Sequence, residues 1–199
     1  MKSFDSKVMS MRGSMRWLAV FTVCAVGCGD DPLPLTGQAS WGDTCPPAQP
    51  CGSPGVHSPR GAAGSPGVDV DCSISGASGG YNVFFRIATI APGGNFDDSS
   101  EGLSVAGWLP AIGQELRSNG SDAYAAIRGL GWSVSRATLG ATGQCHVVIT
   151  RIASGGFSGT IACPMVNDDN TPPRVRIIRG GVAASNPDLG EFVFTNCSS

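Results

Sequence analysis

Large apolar side chains alternate with polar ones over residues 81–90, where Val83, Phe85 and Ile87 share one face and Arg86 takes the other. A period of two marks a half-buried strand. The alternation returns over 102–109 through Leu103, Val105 and Leu109, and Pro110 ends it because proline lacks the ladder N–H. Runs around Ile127 and around Trp132-Ser133-Val134, separated by Gly129 and Gly131, predict two further short strands. Arg174 to Arg179 and Glu191 to Cys197 supply two more. Short strands with Gly-rich turns and no sustained helical period predict an all-β fold, an antiparallel β-sandwich.

The clearest unit is a hairpin. Cys145-His146-Val147-Val148-Ile149-Thr150-Arg151, a Gly-containing turn and Phe157-Ser158-Gly159-Thr160-Ile161-Ala162-Cys163 fold back so that Cys145 faces Cys163. Val147 then faces Ile161, Ile149 faces Gly159 and Arg151 faces Phe157. A slip of one residue would invert one strand's face, so the register is self-consistent. It also brings the two sulfurs to disulfide distance.

The N-terminal part reads differently. Arg12 and Arg16 precede an apolar run from Trp17 to Gly27, eleven residues against the roughly 20 that a bilayer span needs. Residues 1–27 therefore read as a signal peptide, with the true start expected at Met9, Met11 or Met15. Ala25-Val26-Gly27-Cys28 resembles a lipobox, which makes Cys28 the expected lipidated residue, carrying palmitate or a similar acyl chain. Each buried methylene of such an anchor contributes about 0.8 kcal/mol. Residues 28–71 are rich in Pro, Gly, Ser and Asp and predict a flexible tether, with the β-sandwich domain spanning 72–199. Within the tether, Gly52, Gly55, Gly61, Gly64 and Gly67 keep a period of three that Ser58 interrupts, too short for a collagen helix. Trp41 is the one large side chain there, expected to dock on the domain.

With Cys28 assigned to lipid, Cys45, Cys51, Cys72, Cys145, Cys163 and Cys197 remain, an even number suited to an exported protein. The expected pairing is Cys45–Cys51, Cys72–Cys197 and Cys145–Cys163, one among the connectivities that six cysteines allow. A zinc site is the poorer reading, because no pair shows the close C-x-x-C spacing and His57 and His146 lie far apart.

Cys72 opening a strand, Gln144-Cys145-His146-Val147-Val148, Phe157-Ser158-Gly159-Thr160-Ile161-Ala162-Cys163-Pro164 and Glu191-Phe192-Val193-Phe194-Thr195-Asn196-Cys197 together resemble a group of small lipoproteins from myxobacteria. The Cys28-Gly29-Asp30-Asp31 start is similar to theirs as well. The resemblance covers about residues 72–197 and implies a cysteine-stapled β domain on a lipid anchor. It carries no catalytic residues.

Charge and motifs narrow the function classes. After Cys28 the chain has nine arginines, fourteen acids and no lysine, which argues against a nucleic-acid partner. Arg174 and Arg176 alternate and predict the wet face of a strand. Gly76-Ala77-Ser78-Gly79-Gly80 satisfies the nucleophile-elbow string but precedes a strand, so a hydrolase is the remotest reading. Asp97-Asp98-Ser99-Ser100-Glu101 and Asn167-Asp168-Asp169-Asn170 offer oxygens without the spacing that wraps calcium. His146 reads as a surface residue. Trp41, Trp108 and Trp132 are read as core or docking residues ahead of a carbohydrate platform. No cofactor and no metal is expected, nor an enzymatic activity. The expectation is an exported protein held in the bacterial cell envelope, at the outer membrane, by lipid on Cys28. It acts structurally or through protein contacts, the alternative being an extracellular glycan or small-ligand binding module.

Overall fold

In the computed structural model, which describes residues 33–49, 54–77, 79–91, 100–120, 122–181 and 187–199, every long element is a strand. In chain order these are β1 (Thr36–Thr44), β2 (Gly55–His57), β3 (Arg60–Ala62), β4 (Val68–Ala77), β5 (Gly80–Thr89) and β6 (Gly102–Leu109). They continue with β7 (Tyr124–Gly129), β8 (Trp132–Thr138), β9 (His146–Ala153), β10 (Gly156–Asn167), β11 (Val175–Arg179) and β12 (Gly190–Thr195).

Strands β4 to β8 pair in sequence as an antiparallel meander, one 5-stranded sheet. The others form the second sheet, in which two positions are each filled by a pair of collinear strands. Strands β12 and β11 both lie between β1 and β10: Ser40 pairs with Glu191, and two residues on, Gly42 pairs with Arg179. Strands β2 and β3 likewise share the outer flank of β1, where Trp41 pairs with His57 and Gln38 with Arg60. The molecule is the antiparallel sandwich that the alternation predicts.

The inward faces meet in a single core. Phe85 of β5 is its centre, with its ring centroid 4.4 Å from Phe192, 5.0 Å from Phe194 and 5.6 Å from Phe157. Burying each such ring contributes about 1.5–3 kcal/mol. Cys72 bonds Cys197 across a sequence separation of 125, the pairing expected for these two cysteines, and Cys145 bonds Cys163 across the hairpin, as the strand register predicts. Such bonds persist in periplasmic or extracellular surroundings. Cys45 is also disulfide-bonded, while its expected partner Cys51 lies outside the described residues.

Two expectations are corrected here. Among the described residues, 36–49 and 54–71 are not a tether: β1 sits between β12 and β3 in one sheet, and β2, β3 and the start of β4 also fall in this stretch. Part of its small-residue composition is required by packing at Gly37. A Cβ added at Gly37 would lie 2.6 Å from the Phe194 ring and 2.9 Å from Val70. Trp41 accordingly belongs to the core instead of docking on it. Two glycines of the period have a structural role: Gly64 and Gly67 adopt positive φ in the turn that carries β3 into β4. The second correction concerns the hairpin. Val147 faces Ile161 and Ile149 faces Gly159 as expected, but a bulge then pairs Arg151 with Ser158 and Ile152 with Phe157. The extra residue is Thr150, whose hydroxyl donates to the Ser158 carbonyl at 3.2 Å.

Candidate functional site: a buried charge cluster beneath a cleft

Gly37, Ala39 and Trp41 point β1 inward, and the same parity carries Asp43 into the interior at the strand's end. His57 lies opposite Trp41 on β2 and so shares that face, and Arg176 comes in beside Ile178 on β11. The result is a set of charged groups packed where apolar ones would be the default. The Asp43 and His57 side chains are both 2% exposed, and that of Arg176 is 5% exposed.

Each group is held by the others. His57 Nε2 donates to Asp43 Oδ1 at 2.7 Å and Nδ1 donates to Glu101 Oε1 at 3.1 Å. Arg176 donates through Nη1 to Asp43 Oδ2 at 2.8 Å and through Nε to Asp168 Oδ2 at 3.2 Å. Its guanidinium lies 4.7 Å over the Trp132 ring, and the His57 ring stacks on Trp41 at 5.3 Å and meets Trp132 edge-on at 5.9 Å.

Both ring nitrogens of His57 face carboxylates, which can only accept, so the full pair of bonds requires the imidazolium. Burial lowers the pKa of this ring, but hydrogen bonds to Asp43 and then Glu101, with their charges, outweigh it and raise the pKa above 6.5. A buried charge that loses its partner costs about 3–5 kcal/mol, so the cluster ties β1, β2, β11 and the entry to β6 to one another.

Above the cluster lies a cleft of about 380 Å³. Asp43, His57 and Arg176 form its floor, Trp132 a wall, and Arg174 and Asn170 one side of the rim. Val56 and Leu130, 50% and 60% exposed, form the apolar side. A buried ionic cluster opening on a concave, half-apolar surface is where ligand sites are sought.

The other sequence-predicted residues fall elsewhere. Arg176 does not lie on a wet strand face as expected; it points inward because Asp43, Asp168 and the Trp132 ring receive it. Arg174 is exposed. The acidic turn at 167–170 is a structural device: Asp168 accepts from the backbone N–H of Asn170 and Arg174, from Asn170 Nδ2 and from Arg176. Asp169 accepts from Ser133 and Ser135. His146 is half-exposed on β9 and bonds Glu115 at 3.1 Å.

Trp41 and Trp132 are buried, and Trp108 is half-buried with Arg117 5.1 Å over its ring, so the three indoles offer no shared platform. Gly76 and Gly80 flank a strand-to-strand turn between β4 and β5, not the strand-to-helix elbow that a serine nucleophile needs. Cys28 and the leader, Cys51, Ser78, Asp97 and Asp98 lie outside the described residues. The cluster itself escaped the sequence reading. Its one available signal was Trp41-Gly42-Asp43, an indole followed by an acid at the same parity. No protein-family model, curated protein or solved structure matches this chain.

Proposed function

We propose that this is a lipid-anchored protein of the bacterial cell envelope, of the kind that the myxobacterial resemblance implies, working by contact and not by catalysis. The observation that carries the non-catalytic part is the saturation of its one buried histidine. A general base needs a ring nitrogen open to substrate, and both nitrogens of His57 are engaged by carboxylates. Support for the envelope comes from the disulfides and from the short apolar leader that precedes Cys28. Membrane fractionation tests the anchor: the native chain is expected with the outer membrane, and Cys28→Ser in the soluble fraction. A Cys28→Ser protein that stays in the membrane sinks the lipid assignment. A second reading, a small-ligand binding module in the same location, is favoured by the cleft over Asp43, His57 and Arg176.

A further inference from the structure

The hydrogen-bonding capacity around the cleft is one-sided. A carboxylate offers about four lone-pair positions. Asp168 has all of them occupied, by Asn170 N, Asn170 Nδ2, Arg174 N and Arg176 Nε. Asp43 receives three donors, from Gly55 N, His57 Nε2 and Arg176 Nη1. The floor's acids are thus spent on the protein, and His57 has no nitrogen left to give. Arg174 meets Asp168 through its backbone, its N–H donating to Oδ1 and its carbonyl accepting from the Asp168 N–H, while the residue is exposed and lines the cleft. The exposed Val56 and Leu130 line the same cleft.

We propose that the cleft binds a small organic carboxylate, its charged head on Arg174 and its apolar body against Val56, Leu130 and the Trp132 wall. This rests on the small-ligand reading above and gives that reading a chemical class. A guanidinium recognises a carboxylate through paired N–H donors, and it does so best where the local acids are already neutralised, as Asp43 and Asp168 are by Arg176 and His57. A cation is disfavoured by the same count, since the floor has few acceptor positions left. Gly55 leaves room for the pair beneath the cleft: a Cβ there would sit 2.5 Å from Asp43 Oδ1 and 2.7 Å from His57 Nε2.

The test uses the full-length exported protein in nanodiscs, with empty nanodiscs as the blank. It is titrated with 4-methylpentanoate and, separately, with the neutral isostere 4-methylpentanamide, followed by tryptophan fluorescence and saturation-transfer NMR. The acid is expected to bind saturably and the amide at least about tenfold more weakly, as losing one charge-assisted contact implies. Arg174→Ala, at an exposed position that the fold does not need, should bring the acid down to the amide, and Arg174→Lys should keep part of the difference. Equal binding of acid and amide, or acid binding unchanged by Arg174→Ala, would overturn the carboxylate assignment and leave a small-ligand site standing. No saturable binding of either probe would remove both.

Discussion

His57 of β2 and Asp43 of β1 meet through Nε2 and Oδ1 at 2.7 Å, both inside the sandwich, with Arg176 on the second Asp43 oxygen at 2.8 Å. Asp43 is therefore the shared anion of two almost wholly buried cations. Replacing it by Asn keeps the volume and removes the charge. Asp43→Asn is expected to lower the unfolding free energy by about 3–5 kcal/mol, the cost of leaving buried charges unpaired. Urea unfolding should show a lower midpoint with an unchanged slope; a midpoint within error of the native protein would contradict the cluster's role.

The His57 pKa makes stability depend on pH in a stated direction. In the unfolded chain the ring titrates near 6.5, and in the fold its pKa lies higher, because the bonds to Asp43 and Glu101 outweigh burial. The fold thus holds its proton more tightly than the unfolded chain does. That contribution is fully present below about pH 6.5 and is lost as pH rises through the folded value. Unfolding midpoints measured from pH 5 to pH 9 should fall over that window, and His57→Gln should flatten the fall.

Gly55 tests the same pair sterically. Its backbone N–H donates to Asp43 Oδ1 at 3.1 Å, and its missing Cβ leaves room for the carboxylate and the imidazole. Gly55→Ala should cost about 1–3 kcal/mol by overpacking and should displace the His57 ring signals in NMR spectra. Gly131→Ala is the control: it strains a positive φ but meets nothing within 4 Å, so the ring signals should stay in place. Identical spectra for native and Gly55→Ala proteins would refute the contact.

The two described disulfides should differ in worth. Cys72–Cys197 closes a separation of 125 and Cys145–Cys163 one of 18. In the chain-entropy model these correspond to about 5 and about 3 kcal/mol. Paired Cys→Ala variants should therefore lose more stability for Cys72/Cys197, read from denaturant midpoints. The reverse order would show that the hairpin bond carries more than loop closure.

Much of the fold was legible because β-sheet faces are written in neighbouring residues. The Val83-Phe85-Ile87 alternation, the Leu103-Val105-Leu109 alternation and the Cys145–Cys163 register each depend on residues a few positions apart or on one turn. The stretch 36–71 was illegible for the opposite reason. Its strands bury Gly37, Ala39, Asp43 and His57, small or polar residues whose burial depends on partners such as Phe194 and Arg176 far along the chain. Composition there looks like a linker, yet the sheet supplies the apolar partners that composition lacks.

By itself, then, the sequence determined an all-β sandwich and the hairpin with its Cys145–Cys163 staple, since period-two patterning and hairpin register are local properties. Only the tertiary structure decided where β1 goes and that Arg176 turns inward. That arginine's bond to Asp43 joins residues 133 apart in sequence. A charged side chain on a strand faces water unless a buried counter-charge meets it, and whether one does is settled when the sheets close.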